Sequence, residues 1–212
     1  MLEGQKCLVI GSGISGIGAV ALLEKYHADV VLYDSSDKLT KEDLEAKLPG
    51  ESKAVCIAGE LPEEVELSIQ ATVLSPGVPT DIPLVNRMRD RGVQILGEIE
   101  LGFLAEQGRV IAITGTNGKT TTTTLTGEIM KAHFGKNKTF VVGNIGNPYT
   151  LEADKTSKDS VTVGEISSFQ LETIHTFHPV VSAILNITPD HLNRHHTMEA
   201  YVAAKEAVAS HQ

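Results

Sequence analysis

The sequence has no tryptophan, two cysteines and few aromatic residues, which make up 4% of its 212 positions. Cys7 and Cys56 lie far apart in apolar segments. Metal-binding spacing is therefore absent and a disulfide is disfavoured, so we predict two buried, reduced thiols. The apolar runs are too short to span a membrane, and the first residues lack the apolar core of a signal peptide. We predict a cytoplasmic protein without a membrane partner.

The charge balance is acidic, with 27 Asp and Glu residues against 18 Lys and Arg residues and a formal net charge of −9. An acidic surface repels phosphate backbones, so we expect no nucleic-acid partner. Apolar residues make up 41% of the chain and charged residues 21%, as is ordinary for a globular protein. The length suffices for one large or two small domains, and we expect a monomer.

Short apolar runs alternate with amphipathic segments, separated by glycine-rich or polar corners. Apolar strands that alternate with helices predict parallel sheets covered by helices. The pattern restarts after a turn or helix at 97–108, so we predict two successive open parallel-sheet α/β units, at residues 1–97 and 98–212. The predicted strands are 6–11, 29–34, 71–75, 93–96, 109–114, 139–143, 160–167 and 180–188, and the predicted helices include 14–26, 41–48, 83–92 and 197–209.

The segment "TGTNGKTT" begins at the end of the predicted strand 109–114 and opens a threonine-rich stretch. Threonine is a poor helix former, so the run Thr120–Thr124 indicates a task other than helix stability. Small residues, a lysine and a helix N-terminus are what a phosphate-binding loop requires, and Thr120 stands where a P-loop hydroxyl binds Mg²⁺. The P-loop pattern is incomplete, because Ile113 occupies its first glycine position. The alternative is a glycine turn with a chance lysine.

A second glycine-rich loop, "GSGISG" at 11–16, follows the first predicted strand, and Asp34 ends the next one. This spacing fits the dinucleotide fingerprint and, taken alone, indicates NAD or FAD. An NAD(P)-dependent oxidoreductase is therefore one interpretation. Asp34 alone would also fit a helix cap or a turn residue.

Two polar residues follow apolar strands in the second half. Glu165 lies at the carboxyl end of a predicted parallel strand, where ligands of open α/β sheets collect, and a carboxylate suits Mg²⁺. A structural glutamate at a strand end is the alternative. His191 lies just past the last predicted strand, and a lone histidine there is more often a surface or capping residue than a ligand.

Lys205 is placed on the apolar side of its helix. At 100° per residue over 197–209, Lys205 falls on the same broad face as Tyr201 and Val208, whereas Glu199 and Glu206 point away. One interpretation is a lysine whose stem packs and whose ammonium reaches water. The other is a buried lysine with a lowered pKa, whose neutral amine can react with CO₂.

Several motifs together resemble one family, the Mur ligases, with the related folylpolyglutamate synthases, in which the first P-loop glycine is also commonly missing. The segment "GEISSFQLE" is similar to the branch of the family that adds D-glutamate. Motifs matching the family in order along almost the whole chain are "GSGISG" (11–16), "SPGV" (75–78), "GTNGKTT" (115–121), "GNIG" (143–146), "GEISSFQLE" (164–172), "LNITPDHLNRH" (185–195) and "YVAAK" (201–205).

The resemblance implies an ATP-dependent amide ligase of peptidoglycan precursor synthesis, and hence a role in cell-wall biogenesis, cell shape and cell division. Its implied reaction joins D-glutamate to UDP-N-acetylmuramoyl-L-alanine through an acyl phosphate. ATP is then a co-substrate and Mg²⁺, replaceable by Mn²⁺, the cofactor. The implied fold is a Rossmann-like UDP-binding unit followed by a P-loop ATPase unit.

The same resemblance assigns roles to individual residues. Lys205 would be carbamylated and would act as an additional metal ligand. The implied catalytic residues are Lys119, Glu165, His191 and Lys205, and the implied metal ligands are Thr120, Glu165, His191 and carbamylated Lys205. The implied ATP-binding residues are Gly115, Thr116, Asn117, Gly118, Lys119, Thr120 and Thr121. The implied UDP-substrate residues are Gly13, Ile14, Ser15, Asp34, Ser35, Gly77 and Asn144.

The sequence departs from the family pattern in two places. Some relatives place an arginine where this chain has Ser36, so a charged clamp is not expected there. Family members also have a third domain that contributes ATP contacts and most of the D-glutamate pocket. Because the sequence stops at Gln212, we expect a fragment with an incomplete second unit that is inactive alone.

Three alternatives remain open from the sequence. One is another Mur or folylpolyglutamate-type ligase, against which "EISSFQLE" argues. The second is the oxidoreductase suggested by "GSGISG" and Asp34, which NADH binding without UDP or ATP binding would favour. The third is a non-catalytic nucleotide-binding module.

Overall fold

A computed structural model describes residues 2–211 of the chain and forms two β-sheets in which every paired strand runs parallel to its neighbour. The predicted fold class, two successive parallel α/β units, is confirmed. The strands are Lys6–Ile10 (β1), Asp29–Asp34 (β2), Val55–Ala58 (β3), Ala71–Leu74 (β4), Gln94–Gly97 (β5), Arg109–Thr114 (β6), Thr139–Gly143 (β7), Val161–Glu165 (β8) and Val181–Ile184 (β9).

The first sheet has the order β3-β2-β1-β4-β5 and the second the order β7-β8-β6-β9. Each crossover between parallel strands carries a helix or a long connection, as parallel pairing requires. The helices are Ile14–Lys25 (α1), Lys41–Glu45 (α2), Glu63–Ser68 (α3), Pro83–Asp90 (α4), Glu98–Ala105 (α5), Lys119–Phe134 (α6), Ser168–Leu171 (α7), Leu192–His195 (α8) and Met198–Glu206 (α9).

The central strands are apolar along most of their length because both faces of the sheet are buried. Four of the five residues of β1 are fully buried, and so is every residue of β4. The two cysteines are buried and unpaired, as predicted. Burial is the larger of two causes that raise the pKa of the Cys7 thiol to about 11, with the Asp29 carboxylate adding to it. This thiol therefore stays protonated and inert.

Several predicted boundaries are wrong by a few residues. The strand predicted at 160–167 spans Val161–Glu165, and the one at 180–188 spans Val181–Ile184. The predicted strand was too long because the chain turns after Leu185, whose amide still bonds the Thr114 carbonyl, and the Asn186 carbonyl then accepts from the Thr116 amide of the neighbouring loop. The helix predicted at 41–48 ends at Glu45, after which the chain forms turns. The prediction also omitted β3 and α3, two short elements of weak periodicity.

The segment predicted as a linker at 97–108 contains helix α5. Two carboxylates of α5 bind loops that connect strands of the second sheet. Glu98 Oε1 accepts hydrogen bonds from the amide and hydroxyl of Thr150 at 2.7 and 2.9 Å. Glu100 accepts from the amides of three consecutive residues, 175–177, at 2.8–3.2 Å. The linker is thus a packed helix. No helix within the described residues is long and apolar enough to cross a membrane.

Candidate functional site

The loop between β1 and α1 is shaped by close backbone packing. A Cβ atom on Gly16 would lie 1.9 Å from the carbonyl oxygen of Gly11, so only glycine fits where the helix meets the strand. Gly13 caps helix α1, whose first residue is Ile14. The first amides of a helix have no partner within it and carry partial positive charge, so this loop can bind an anion such as a diphosphate.

Asp34, at the end of β2, holds this loop in place. Its Oδ2 accepts hydrogen bonds from the Ser12 amide at 3.0 Å and the Ser12 hydroxyl at 2.7 Å, and its Oδ1 accepts from the Ser36 amide at 3.1 Å. Burial acts to raise the pKa of Asp34, but these hydrogen bonds and the charge of Lys47 outweigh it and lower the pKa below its ordinary value. The carboxylate is therefore anionic and positions the loop.

Lys47 brings a positive charge to the glycine loop at Ser12. Its Nζ donates to the Ser12 hydroxyl at 2.9 Å and to the Ser12 carbonyl at 3.3 Å. Sequence reasoning missed both Ser12 and Lys47. Ser12 lies inside the quoted glycine motif, but Lys47 lies in the turn that follows α2, far from Ser12 in sequence, and had no local signal.

The predicted UDP-substrate residues gather around adjoining pockets at the carboxyl ends of the first sheet. Ser35 lines a pocket of about 560 Å³ together with Asp34 and Gly77. A second pocket of about 440 Å³ lies between the two sheets. The residues predicted from the resemblance that line this second pocket are Gly13, Ile14, Ser15, Asp34, Gly77 and Asn144. Six residues from both halves of the sequence thus face one cavity.

The second glycine-rich loop connects β6 to α6. Gly115 has φ +148° and Gly118, the residue before the helix, has φ +82°, backbone conformations that glycine adopts without strain. The Lys119 ammonium donates to the carbonyls of Gly115 and Thr116 at 3.0 Å each. The lysine thus curls over a loop that ends at a helix N-terminus, the arrangement expected of a phosphate-binding loop.

The segment after β9 braces this loop from outside. The Asn117 amide donates to Asn186 Oδ1 at 2.9 Å, and Asn186 Nδ2 donates back to the Asn117 carbonyl at 2.9 Å. The Thr116 hydroxyl donates to the Thr188 carbonyl at 3.1 Å and lies 3.0 Å from the Tyr201 hydroxyl. Two of the predicted ATP-binding residues are therefore fixed by polar contacts. Thr120 and Thr121 lie exposed in the first turn of α6.

Glu165 ends β8 directly beside the strand that leads to the phosphate-binding loop, since it pairs with Ile113 in the sheet. Its side chain is buried, and Oε1 accepts a hydrogen bond from Asn144 Nδ2 at 2.8 Å. Oε2 is buried without a hydrogen-bond partner among residues 2–211. A buried carboxylate oxygen without a donor is costly, and its chemistry fits a hard cation such as Mg²⁺.

His191 lies at the surface, in the segment between β9 and α8. Its side chain is 49% exposed, its Nε2 lies 3.5 Å from Asp190 Oδ2, and its ring packs on Phe169 at 4.8 Å between centroids. The backbone of His191 is left-handed, with φ +53°, just before helix α8. Its predicted metal role stays a prediction. Residues 2–211 hold no group of three or more His, Cys, Asp or Glu side chains arranged to bind a metal ion.

Lys205 is buried, with 1% of its surface exposed. Its Nζ donates to the Gly115 carbonyl at 2.9 Å and lies 4.7 Å from the centre of the Tyr201 ring. Burial first, and the positive charge of Lys119 second, lower the pKa of Lys205 to about 8. The predicted burial is confirmed, and the interpretation in which the ammonium reaches water is wrong. Carbamylation stays a prediction.

Two family models match the chain. The model described as "Mur ligase MurD-like, N-terminal domain" matches residues 5–97, and the one described as "Mur ligase middle domain" matches residues 113–212. Together they cover both glycine-rich loops and every strand except the first four residues of β6.

Two proteins similar in sequence to this chain are named as the same ligase. The chain is 56% identical over 211 residues to the UDP-N-acetylmuramoylalanine–D-glutamate ligase of Lachnospira eligens and 54% identical over 209 residues to that of Lachnoclostridium phytofermentans. These alignments cover 100% and 99% of this chain but 46% of each relative, so the chain spans about half the length of these curated relatives.

A solved structure shares the fold. The UDP-N-acetylmuramate:L-alanyl-gamma-D-glutamyl-meso-diaminopimelate ligase from Neisseria meningitides aligns with 96% of this chain and 67% of its own, at 16% identity and a TM-score of 0.57.

Proposed function

The chain belongs to the Mur ligase family, and on that premise we propose that it carries the substrate-binding and ATP-binding units of an ATP-dependent amide ligase of peptidoglycan precursor synthesis. The substrate activated as an acyl phosphate is UDP-N-acetylmuramoyl-L-alanine and the incoming amino acid is D-glutamate, as in the names of its relatives. Residues 1–97 bind the UDP-sugar and residues 98–212 bind ATP.

One observation supports this proposal above the others. The pocket of about 440 Å³ is lined by the first unit's glycine loop and by Asn144, whose amide nitrogen bonds Glu165 beside the phosphate-binding loop. A substrate whose diphosphate lies on Gly13–Ser15 can therefore direct its other end toward the phosphate-binding loop. A dinucleotide-dependent oxidoreductase would not need the phosphate-binding loop at Gly115–Lys119.

The mechanism we propose is phosphoryl transfer followed by acyl transfer. The substrate carboxylate attacks the γ-phosphorus of ATP, forms a C–O–P acyl phosphate and releases ADP. The D-glutamate amine then attacks the acyl carbon, loses a proton, and an amide forms as inorganic phosphate leaves. The Lys119 ammonium, held at the loop, offsets the charge of the transferred group.

The residues present also fit a divalent cation, because Glu165 Oε2 is a buried carboxylate oxygen that lacks a partner in the described part of the chain. Thr120, Glu165, His191 and a carbamate on Lys205 would hold Mg²⁺ or Mn²⁺. Such an ion, when bound, supplies positive charge beside the transferred phosphoryl group. Lys205 itself, through its hydrogen bond to the Gly115 carbonyl, fixes the start of the loop.

The test is isothermal titration calorimetry on this chain with UDP-N-acetylmuramoyl-L-alanine, and separately with NADH. We expect binding of the UDP-sugar and none of NADH. Asp34→Ala releases the Ser12 amide and hydroxyl, so we expect it to weaken UDP-sugar binding about tenfold, as for the loss of a charge-assisted hydrogen bond.

Asp37→Ala is the matched control, because Asp37 is an exposed carboxylate three residues after Asp34, and its loss should leave the affinity within twofold. Heat with NADH and none with the UDP-sugar would show that the oxidoreductase interpretation is right and the ligase proposal wrong.

A further inference from the structure

Arg194 of α8 joins the two units at one point. Its Nη2 donates to Glu172 Oε2 at 2.8 Å and to the Val78 carbonyl at 3.3 Å, while its Nε lies 3.4 Å from Glu172 Oε1. Val78 belongs to the first unit and Glu172 to the second. The guanidinium therefore donates hydrogen bonds both to a carboxylate of its own unit and to a backbone carbonyl of the other unit.

Glu172, in the second unit, also contacts the first unit. Its Oε2 accepts a hydrogen bond from the Thr80 hydroxyl at 3.4 Å, and its Oε1 lies 3.5 Å from His195 Nδ1. The side chains of Arg194 and Glu172 are 17% and 18% exposed. An ion pair so shielded from water is screened less than a surface pair, and a guanidinium fork fixes geometry as well as charge.

The guanidinium also covers the ring of Phe169, 4.3 Å from its centre. The ring of Phe169 in turn packs against His191 at 4.8 Å. Contacts thus run without a gap from the loop 75–80, which carries Gly77, through Arg194 to Phe169 and His191. One end of this path is Gly77, which lines the proposed substrate pocket. The other end is His191, a proposed metal ligand.

We propose that Arg194 and Glu172 are positioning residues, which lock the loop 75–80 against Phe169 and His191 and so align the UDP-sugar with the ATP site. The inference rests on the proposed function, because it needs both ligands. Neither Arg194 nor Glu172 lines the two pockets around the substrate loop. Its effect is that the first ligand to bind orders the contact path, so the second ligand binds to a site that is already aligned.

A plain structural clamp between the units would have a different signature. It would contribute to stability but leave the two binding sites independent of each other. The discriminating readout is therefore the coupling between sites, which is the factor by which one ligand changes the affinity for the other. This factor is the same in whichever order the ligands are added.

The experiment measures the UDP-N-acetylmuramoyl-L-alanine affinity of this chain by calorimetry, with and without a non-hydrolysable ATP analogue and Mg²⁺. In the unaltered chain we expect the analogue to tighten UDP-sugar binding at least fivefold. Arg194→Lys keeps the charge but loses the planar fork and the stacking, so we expect the coupling factor to fall below twofold. Glu172→Gln should reduce it similarly.

Lys25→Gln is the control. Lys25 forms an ion pair with Asp154 that also joins the two units, but neither residue lines the pockets around the substrate loop. This variant should keep the full coupling factor. As a readout without ligands, hydrogen exchange of the Val78 amide, which bonds the Ser75 carbonyl at 2.9 Å, should accelerate in Arg194→Lys and stay unchanged in Lys25→Gln.

The outcomes separate the two proposals. If both ligands bind but the coupling survives in Arg194→Lys, or is absent from the unaltered chain, the positioning inference is wrong while the proposed function stands. If the UDP-sugar does not bind the unaltered chain at all, the proposed function is wrong and the pair has no substrate to align.

Discussion

Lys205 and Lys119 share an acceptor, which ties the end of one helix to the start of another. Both ammonium groups donate to the Gly115 carbonyl, at 2.9 and 3.0 Å. Two positive charges at one oxygen repel, and this repulsion is the second cause, after burial, of the low pKa of Lys205. Exchange of one ammonium for an anionic carbamate would remove the repulsion.

The first prediction at this scale is that Lys205 reacts with CO₂. With a pKa of about 8, half of the amine is neutral near pH 8, and the neutral fraction rises from pH 7 to pH 9. Carbon-13 NMR of the chain in labelled bicarbonate should therefore show a carbamate resonance that grows over this range. Lys205→Arg, which stays charged, should lack it. A spectrum without a resonance that depends on Lys205 would leave the lysine a structural residue.

A second prediction concerns Lys119. Lys119→Met should weaken binding of a non-hydrolysable ATP analogue by 10- to 100-fold, as about 1.5–3 kcal/mol for the loss of a hydrogen bond to a charged group implies. Lys131→Met removes a lysine on the same helix that pairs with Glu128 and is the control, with an affinity within twofold of the unaltered chain. Equal losses of affinity in both variants would indicate a general effect of positive charge and would contradict a contact between Lys119 and the phosphates.

At the scale of elements, helix α5 contains two buried glutamates in different surroundings. Glu100 receives four hydrogen bonds, from the amides of 175–177 and the hydroxyl of Thr176. Glu98 receives bonds on Oε1 only, and its Oε2 lacks a partner within the described residues. Burial raises the pKa of Glu98, although the bonds from Thr150 oppose the rise.

The prediction for this helix is a pair of opposite effects on the free energy of unfolding. A carboxyl group with a raised folded-state pKa stabilises the protein below its unfolded pKa of about 4.3, and this contribution is lost as pH rises through the folded value. Glu98→Gln should therefore match the unaltered chain near pH 4 and exceed it by about 1–3 kcal/mol at pH 8, since the neutral amide avoids a buried, unpaired charge.

Glu100→Gln should instead destabilise the chain by about 1.5–3 kcal/mol at pH 8, because its amide group would face backbone donors. Urea unfolding at both pH values measures the two variants. Equal destabilisation by both substitutions would contradict the account of α5.

The sequence predicted the elements well where burial alone decides them. The strands β2, β6 and β7 have the predicted bounds, because an apolar run buried on both faces ends where polar or glycine residues begin. The short β3 was omitted because it has only four residues, of which Val55 is half exposed and Cys56 alone is buried. Where β9 ends was also not predictable, since Asn186 leaves the ladder to hold Asn117, a residue far away in sequence.

For the whole molecule, both glycine loops were readable from local motifs, but the contacts that join the two units were not. Val78, Glu172 and Arg194 each lie in a motif that the sequence shows, but only the tertiary arrangement reveals that they contact one another. A single sequence carries no signal for such long-range pairs. Lys205 was the exception, because helical periodicity alone placed it on a buried face.

The central claim is that the pocket between the two sheets binds a UDP-sugar whose far end points toward the phosphate-binding loop. A crystal structure of this chain with UDP-N-acetylmuramoyl-L-alanine tests it most directly. The account predicts diphosphate density against the amides of Gly13, Ile14 and Ser15, with the L-alanine carboxylate directed to the side of Asn144 and Lys119. Diphosphate density on the Gly115–Lys119 loop instead, or a sugar that points away from the second unit, would contradict it.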